Sequence, residues 1–440
     1  MIGVMPSYSE FFAGKRVTLM GLGLLGRGVG DAEFLAPLCR ELVITDKKTS
    51  EELTQSKERL ARYSNITYVL GEHREEDFTN TDMVIKAAGV PLDSSYIAVA
   101  KKAGVPIYMS TALFAKFARE RGAKLVGITG TRGKSTTSAL IFHALKRAQR
   151  QVHLGGNVRG LSTLAMIEEV RQGDIVVLEL DSWQLQGFGD LSLSPDVAVF
   201  TNLMPDHLNY YGGDMEKYFW DKANIFTHQK AGDKLIVGAQ ILQKVQQANP
   251  PVAPLVPPPL PHDWKLQIVG DHNRENAALA ALALRTLGLG DDEIKDGLET
   301  FEAVEGRLQF VREVNGVKIY NDNNATTPEA TLAALSSFDL NKTVLISGGS
   351  DKNLPLEVLA DKIRQCKKVF LLAGGGTDKL KVLVPGAPIY TSMKEATGAA
   401  FAAAEAGDIL LMSPGFASFG MFRNEYDRND QFMDAVKQLQ

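Results

Sequence analysis

Short apolar runs alternate along this chain with stretches whose apolar positions recur at helical spacing. RVTLMGLG (16–23) reads as a buried strand entering a glycine turn, ELVITDKK (41–48) as a second strand and DMVIKAAGVP (82–91) as a later one. A second set begins near Lys124. There KLVGITGTRGKSTTSALIFHALKRA reads as strand, glycine loop and helix, and GDIVVLEL (173–180) and DVAVFTNL (196–203) read as buried strands ending in polar residues. A third set begins near Val304, with VKIYNDN (317–323), KTVLISGG (342–349), KVFLLAGGG (368–376) and GDILLMSP (407–414). Strands separated by helices predict mostly parallel sheets with helices on their faces. The expected fold class is α/β in three units, with ligands at the carboxyl ends of the strands. The segment NPPVAPLVPPPLP (249–261) breaks the rhythm. Its prolines exclude helix and central strand and predict a surface loop or stiff connector. NRENAALAALALRTLG, after it, reads as a helix with a polar first turn and an alanine/leucine face.

Composition narrows the function classes. A net charge of −4 over 440 residues leaves no basic footprint for nucleic acid. Two cysteines, Cys39 and Cys366, exclude a disulfide framework and fit a reducing compartment. No apolar signal core and no run of about 18 apolar residues is present. The reading is a cytoplasmic monomer, not inserted in a membrane, acting on small molecules.

The chemistry concentrates at strand ends. Gly130-Thr131-Arg132-Gly133-Lys134-Ser135, followed by Thr136, lies between a strand and a helix. Backbone N–H groups and the helix dipole there attract phosphate. Lys134 adds a full charge for β/γ-phosphates, and Ser135 offers a hydroxyl to Mg2+. Ile128 stands where the generic loop has glycine, so this is a variant built on Gly127, Gly130 and Gly133. Gly21, Gly23 and Gly26, with Asp46 following, match a dinucleotide fingerprint. That motif alone fits a ligand-free turn equally well. Glu179, at a strand end, suits a Mg2+ ligand or a helix cap. His207, after Pro205 and Asp206, suits a metal, a phosphate or a proton. Lys222 in YFWDKANIF is, by spacing alone, a solvated helix lysine. Lys352 suits a carboxylate, Asp322 a ribose hydroxyl, and Thr326 a ligand or a helix cap.

Nine blocks in order carry a resemblance: GITGTRGKSTT, LELDSWQL, TNLMPDHLNYY, DKANIF, GDHNRENAALAALAL, EGRLQF, NDNNATTPEAT, SGGSDKN and SPGFASFGMFRNEYDRNDQF. With them the chain resembles the Mur ligases from Gly21 to its end. The resemblance implies a Rossmann-like domain over 1–112 for a UDP-linked substrate, a central ATP-binding domain over 113–303, and a Rossmann-like domain over 304–440 for the amino acid. It is strongest to members that add D-glutamate to UDP-N-acetylmuramoyl-L-alanine in peptidoglycan synthesis. ATP would phosphorylate the alanyl carboxylate, and the amine of glutamate would attack the acyl phosphate. Two Mg2+ ions are implied, held by Ser135 and by Glu179, His207 and a carbamylated Lys222. Leu24, Leu25, Asp46, Lys47, Gly89, Asn157 and Ser182 match contacts to the UDP-substrate. Asn273, Asn276, Arg307 and Asp322 match contacts to ATP, beside Gly130, Thr131, Gly133, Lys134, Ser135 and Thr136. Thr326, Lys352 and Ser418 match the amino-acid site.

The chain departs from the family at Arg132, Asp181 and Gly306, where Asn, Ser and His are usual. It departs again at Asn324, commonly lysine, and at Glu425, usually aromatic. The last two predict weaker binding of a dicarboxylate unless Lys352 or Arg423 compensates. The alternatives are a Mur-type ligase for another amino acid or for L-glutamate, and a nucleotide-binding protein without ligase activity. A nicotinamide oxidoreductase would leave the second glycine loop unexplained.

Overall fold

The computed structural model describes residues 7–24, 26–91, 93–158, 160 and 162–440, with the backbone alone at Leu208. In Arg16–Met20 every residue after the first is buried, because parallel strands flank it on both edges. The first sheet runs Ile66–Leu70, Glu41–Asp46, Arg16–Met20, Met83–Lys86, Ile107–Tyr108, all parallel. Its strand order reverses beside Arg16–Met20, where the first glycine turn emerges.

The second sheet runs Pro254–Leu255, Lys234–Val237, Val197–Phe200, Lys124–Thr129, Ile175–Glu179, Val152–Gly156, again parallel throughout. Lys124–Thr129 is central, so the second glycine loop opens at the sheet's switch point. The proline-rich segment is not wholly a loop. Pro254 and Leu255 form a short edge strand, the one place in a sheet where missing N–H groups cost little.

The third sheet runs Gln309–Val314, Val317–Asn321, Ile409–Met412, Thr343–Ser347, Lys368–Leu372, Ile389–Tyr390. Its first pair is antiparallel, and Asn315 and Gly316 turn it with φ of 51° and 80°. Asn-Gly is the usual residue pair for a two-residue hairpin, and it adds the strand Gln309–Val314 to those expected from the apolar runs.

The chain forms two compact units. One holds the first two sheets, in residues up to Pro258 with Ala278–Gly297; the other holds the third sheet, in Pro259–Ala277 and Leu298–Gln440. Among the described residues no helix is long and apolar enough to cross a membrane.

Candidate active site

The strand Lys124–Thr129 delivers the glycine loop to the helix Lys134–Arg147. Gly130 has φ 142°, and a Cβ there would collide with Thr201 Oγ1 and press on the Asn202 backbone. The neighbouring strand end grips the loop: Thr131 N–H donates to Asn202 O (2.9 Å), Arg132 N–H to Asn202 Oδ1 (2.9 Å) and Thr201 Oγ1 to Arg132 O (2.5 Å). Thr131 Oγ1 is tied to the Met204 backbone. Both donors of Thr131 therefore serve loop geometry. Lys134 Nζ donates to Gly130 O (3.0 Å) and Thr131 O (3.2 Å). Ser135 is half-buried and Thr136 buried in the first helical turn.

The exposed-lysine reading of Lys222 is wrong. The helix Met215–Ala223 turns it inward; it is 1% exposed, lies 4.8 Å over the Tyr218 ring and donates to Gly130 O at 2.9 Å. Lys134 and Lys222 thus share one acceptor. Burial, reinforced by the charge of Lys134, holds the Lys222 ammonium far below the ordinary lysine range. His207 sits at φ 54°, a left-handed backbone seldom used by non-glycine residues, with its ring 4.9 Å from Trp183. One side of the residue reaches solvent, while the protein on the other side disfavours the imidazolium and lowers its pKa, against the opposing pull of Asp206. Glu179 is buried at its strand end, in register with Gly156, and its carbonyl accepts from Asn157 N–H (2.7 Å). Asp181 caps the next helix in a reciprocal capping box with Gln184. Arg132 pairs with Asp206 at 3.1 Å.

Among the described residues no three His, Cys, Asp or Glu side chains form a metal-holding group. Mg2+ takes few carboxylates and completes its shell with water and phosphate oxygens. Ser135 and Glu179 carry the oxygen donors that Mg2+ takes, His207 would add a nitrogen, and Lys222 would add an oxygen only as a carbamate.

The first glycine turn is closed by Asp46. Its Oδ2 accepts from Leu22 and Gly23 N–H (both 2.9 Å), and its Oδ1 from Lys48 N–H (2.9 Å). Leu24 is 60% exposed at the turn, Lys47 and Gly89 are exposed, and Leu25 lies outside the described residues. Val158 and Ser162 bond to the helix that follows this turn: Arg27 Nε donates to Val158 O (3.0 Å) and Ser162 Oγ to Asp31 Oδ1 (2.6 Å). Asn157 precedes Val158, directly after the strand Val152–Gly156 of the second sheet. Ser182 is buried against Tyr211, whose hydroxyl donates to Asp221 Oδ2 (2.9 Å). A cavity of about 770 Å3 opens there, lined by Pro91, Asp93, Gln186, Tyr210, Trp220 and Asp221 among others. Sequence reading passed over Lys86, which is 1% exposed, donates to Val90 O (2.9 Å) and is pushed by burial down to about 8. A lysine inside the apolar run DMVIKAAG was its one signal.

In the second unit three adjacent strands end together. The loops after Val317–Asn321, Thr343–Ser347 and Ile409–Met412 carry Thr326, Lys352 and Ser418. Lys352 Nζ donates to Thr326 Oγ1 (3.2 Å), and Ser350 N–H to Ala417 O (2.9 Å), next to Ser418. Asp322 is buried; its oxygens accept from Leu308 N–H (3.0 Å) and Ser413 Oγ (2.8 Å), and burial pushes its pKa up to about 7. Arg307, half-buried, adds a positive charge near it. Asn273 and Asn276 are buried and bonded to each other (3.2 Å), with Asn273 also donating to Val269 O. Arg423 turns to solvent and pairs with Asp427.

Residues 128–253 match the Mur ligase middle domain and 306–416 the Mur ligase glutamate ligase domain. A UDP-N-acetylmuramoylalanine–D-glutamate ligase of Roseiflexus sp. is 36% identical over 97% of this chain and 99% of its own length. One from Clostridium kluyveri is 32% identical over 98% of each. The solved UDP-N-acetylmuramate–alanine ligase of Thermotoga maritima superposes with TM-score 0.62 at 17% identity, covering 96% of this chain and 99% of its own. The Thermotoga maritima MurF ligase in complex with ADP gives 0.59 at 19% identity over 92% and 96%. Matched by both Mur ligase domain models, and at least 32% identical over nearly its whole length to these two D-glutamate ligases, the chain belongs to the Mur ligase family.

Proposed function

We propose that this enzyme joins D-glutamate to UDP-N-acetylmuramoyl-L-alanine, forming ADP and phosphate, in the cytoplasm and as a monomer, for peptidoglycan synthesis. The observation that carries the reading is the convergence of Lys134 and the buried Lys222 on Gly130 O, beside relatives named for this reaction over their full length. A carboxylate resists attack by an amine, so it must first become an acyl phosphate. The loop amides, the helix Lys134–Arg147 and Lys134 would hold the phosphates and offset the charge that gathers on the transferring phosphoryl group. Leu24, Lys47, Gly89, Asn157 and Ser182 would hold the UDP-substrate. Asn273, Asn276, Arg307 and Asp322 would serve the nucleoside and phosphates of ATP, and Thr326, Lys352 and Ser418 the amino acid. Ser135, Glu179, His207 and a carbamylated Lys222 would hold Mg2+, which supplies positive charge to the phosphate oxygens. A neutral amine is the form that adds CO2, and burial favours that form at Lys222.

Phosphate release tests the reading. It is expected only when ATP, Mg2+, UDP-N-acetylmuramoyl-L-alanine and D-glutamate are all present. Release with another amino acid but not with D-glutamate would overturn the specificity and keep the class. Asn324 and the outward Arg423 favour that second reading, so a panel of D- and L-amino acids belongs in the same assay.

A further inference from the structure

The helix Glu425–Lys437 buries an arginine whose donors go to neutral oxygens and to no carboxylate. Arg428 is 0% exposed and, among the described residues, makes no ion pair within 4 Å; the charge of Glu425 acts on it at longer range. Its donors go to three neutral oxygens on two loops. Nε donates to Asn323 Oδ1 (2.8 Å), Nη2 to Asn323 O (2.9 Å) and Nη1 to Phe416 O (3.0 Å). Burial pushes the guanidinium pKa down to about 10.

Such a group is a poor way to gain stability, since an apolar side chain of similar volume would avoid the desolvation of a charge. What the guanidinium offers instead is a rigid planar fork, fixing three acceptors relative to one another. Those acceptors are well chosen. Asn323 is three residues before Thr326, and Phe416 is two residues before Ser418. Asn323 is gripped further: its N–H donates to Asn321 Oδ1 (3.0 Å) and its Nδ2 to Glu425 O (2.9 Å). Asn321 Nδ2 in turn donates to Asn429 Oδ1 (2.8 Å), beside Arg428. Gly415 N–H donates to Ala325 O (2.9 Å), so the two loops also meet directly. The first turn of one helix therefore sets the spacing of two loops that rise from adjacent strands.

We infer that Arg428 is the positioning residue of the amino-acid site: through Asn323 and Phe416 it fixes the loops bearing Thr326 and Ser418, and so sets affinity for the incoming amino acid without touching it. The inference rests on the reading that Thr326, Lys352 and Ser418 receive that amino acid. Misplacement of binding groups by about 1 Å costs up to about a hundredfold, so the effect is measurable.

The test is steady-state kinetics of the full chain with Arg428→Lys and Asn323→Ala, varying each substrate with the others saturating. Arg428→Lys keeps the charge and loses the fork. It is expected to raise KM for D-glutamate about tenfold, with kcat within about threefold and KM for ATP and for the UDP-substrate within about twofold. Asn323→Ala removes one of the three acceptors and is expected to raise the same KM about threefold; it decides the matter if Arg428→Lys does not fold. A D-glutamate KM that stays within twofold, or three KM values that rise alike, overturns the proposal. Lys352→Ala and Ser418→Ala, run in parallel, separate the two readings. If they raise KM for D-glutamate and the Arg428 and Asn323 variants do not, only the positioning role falls. If they leave it unchanged, the site lies elsewhere and the proposal falls with it.

Discussion

A lysine enclosed by protein loses the water that keeps it protonated, and Lys222 gains a backbone carbonyl, an aromatic face and the distant charges of Asp181, Asp206 and Asp221, which do not make up the loss. That is an expensive way to pack a helix and a sound way to keep an amine neutral. Lys222→Ala is expected to lower kcat by about a hundredfold or more, the scale of removing one electrostatic group from a phosphoryl-transfer site. Acetate or formate, supplying the missing carboxylate oxygens, is expected to restore part of it. A variant with full activity, measured by phosphate release, would remove Lys222 from the mechanism. Sequence spacing made this residue a surface lysine because a helix of nine residues shows its inward face only through its apolar positions. A lysine on that face looks like one on the other. The strand that ends in Glu179, by contrast, was readable as buried, because a strand covered on both sides reads as a continuous apolar run.

At the scale of elements, two features carry separable predictions. The first is the glycine loop. Gly130→Ala places a Cβ against Thr201 and the Asn202 backbone at a left-handed φ, whereas Gly173 (φ 87°) has open space around it. Gly130→Ala is expected to cost about 3 kcal/mol or more and abolish ATP binding, while Gly173→Ala costs about 1–2 kcal/mol from backbone strain alone and leaves binding intact. Chemical denaturation and nucleotide titration of both check this. The second is the helix Arg27–Leu35, anchored through Asp31 to Ser162. Burial raises the Asp31 carboxyl to about 6, partly offset by its hydrogen bond from Ser162. Between about pH 4 and 6 the folded chain then binds more protons than the unfolded one. Stability from this group is fully present below about pH 4 and is lost as pH rises through about 6, a span of about 3 kcal/mol. Asp31→Asn should flatten that part of the stability–pH curve; a curve with unchanged slope would contradict it. The glycine loop was legible because glycine and lysine at fixed spacing mark it. The Asp31 anchor was not, since it joins residues 131 apart in sequence. The edge strands were missed for another reason: two-residue pairs such as Pro254–Leu255 hold no periodicity to read.

Across the whole molecule, two of the three sheets open on glycine turns at a reversal of strand order, and the same motif does different work in each. In the second sheet the loop amides lead into a helix start that also holds Lys134, an arrangement for phosphate. In the first sheet the acidic residue that a nicotinamide-binding turn would keep for a ribose is engaged with the turn itself. Three of the roughly four acceptor positions of Asp46 take backbone N–H groups from Leu22, Gly23 and Lys48. Sequence could place Asp46 at the fingerprint spacing but could not say which way its oxygens point, since that depends on the turn closing over them. The consequence is a ligand preference. UDP-N-acetylmuramoyl-L-alanine at about a hundred times its Kd should stabilise the chain by about 2.7 kcal/mol, a rise of several degrees in melting temperature. NAD at the same concentration should leave the melting temperature unchanged. Asp46→Ala, which frees the Leu22 and Gly23 amides, should lower the melting temperature of the unliganded chain and shrink the shift given by the UDP-substrate. A shift with NAD, together with none from the UDP-substrate, would mean that this turn serves a dinucleotide after all.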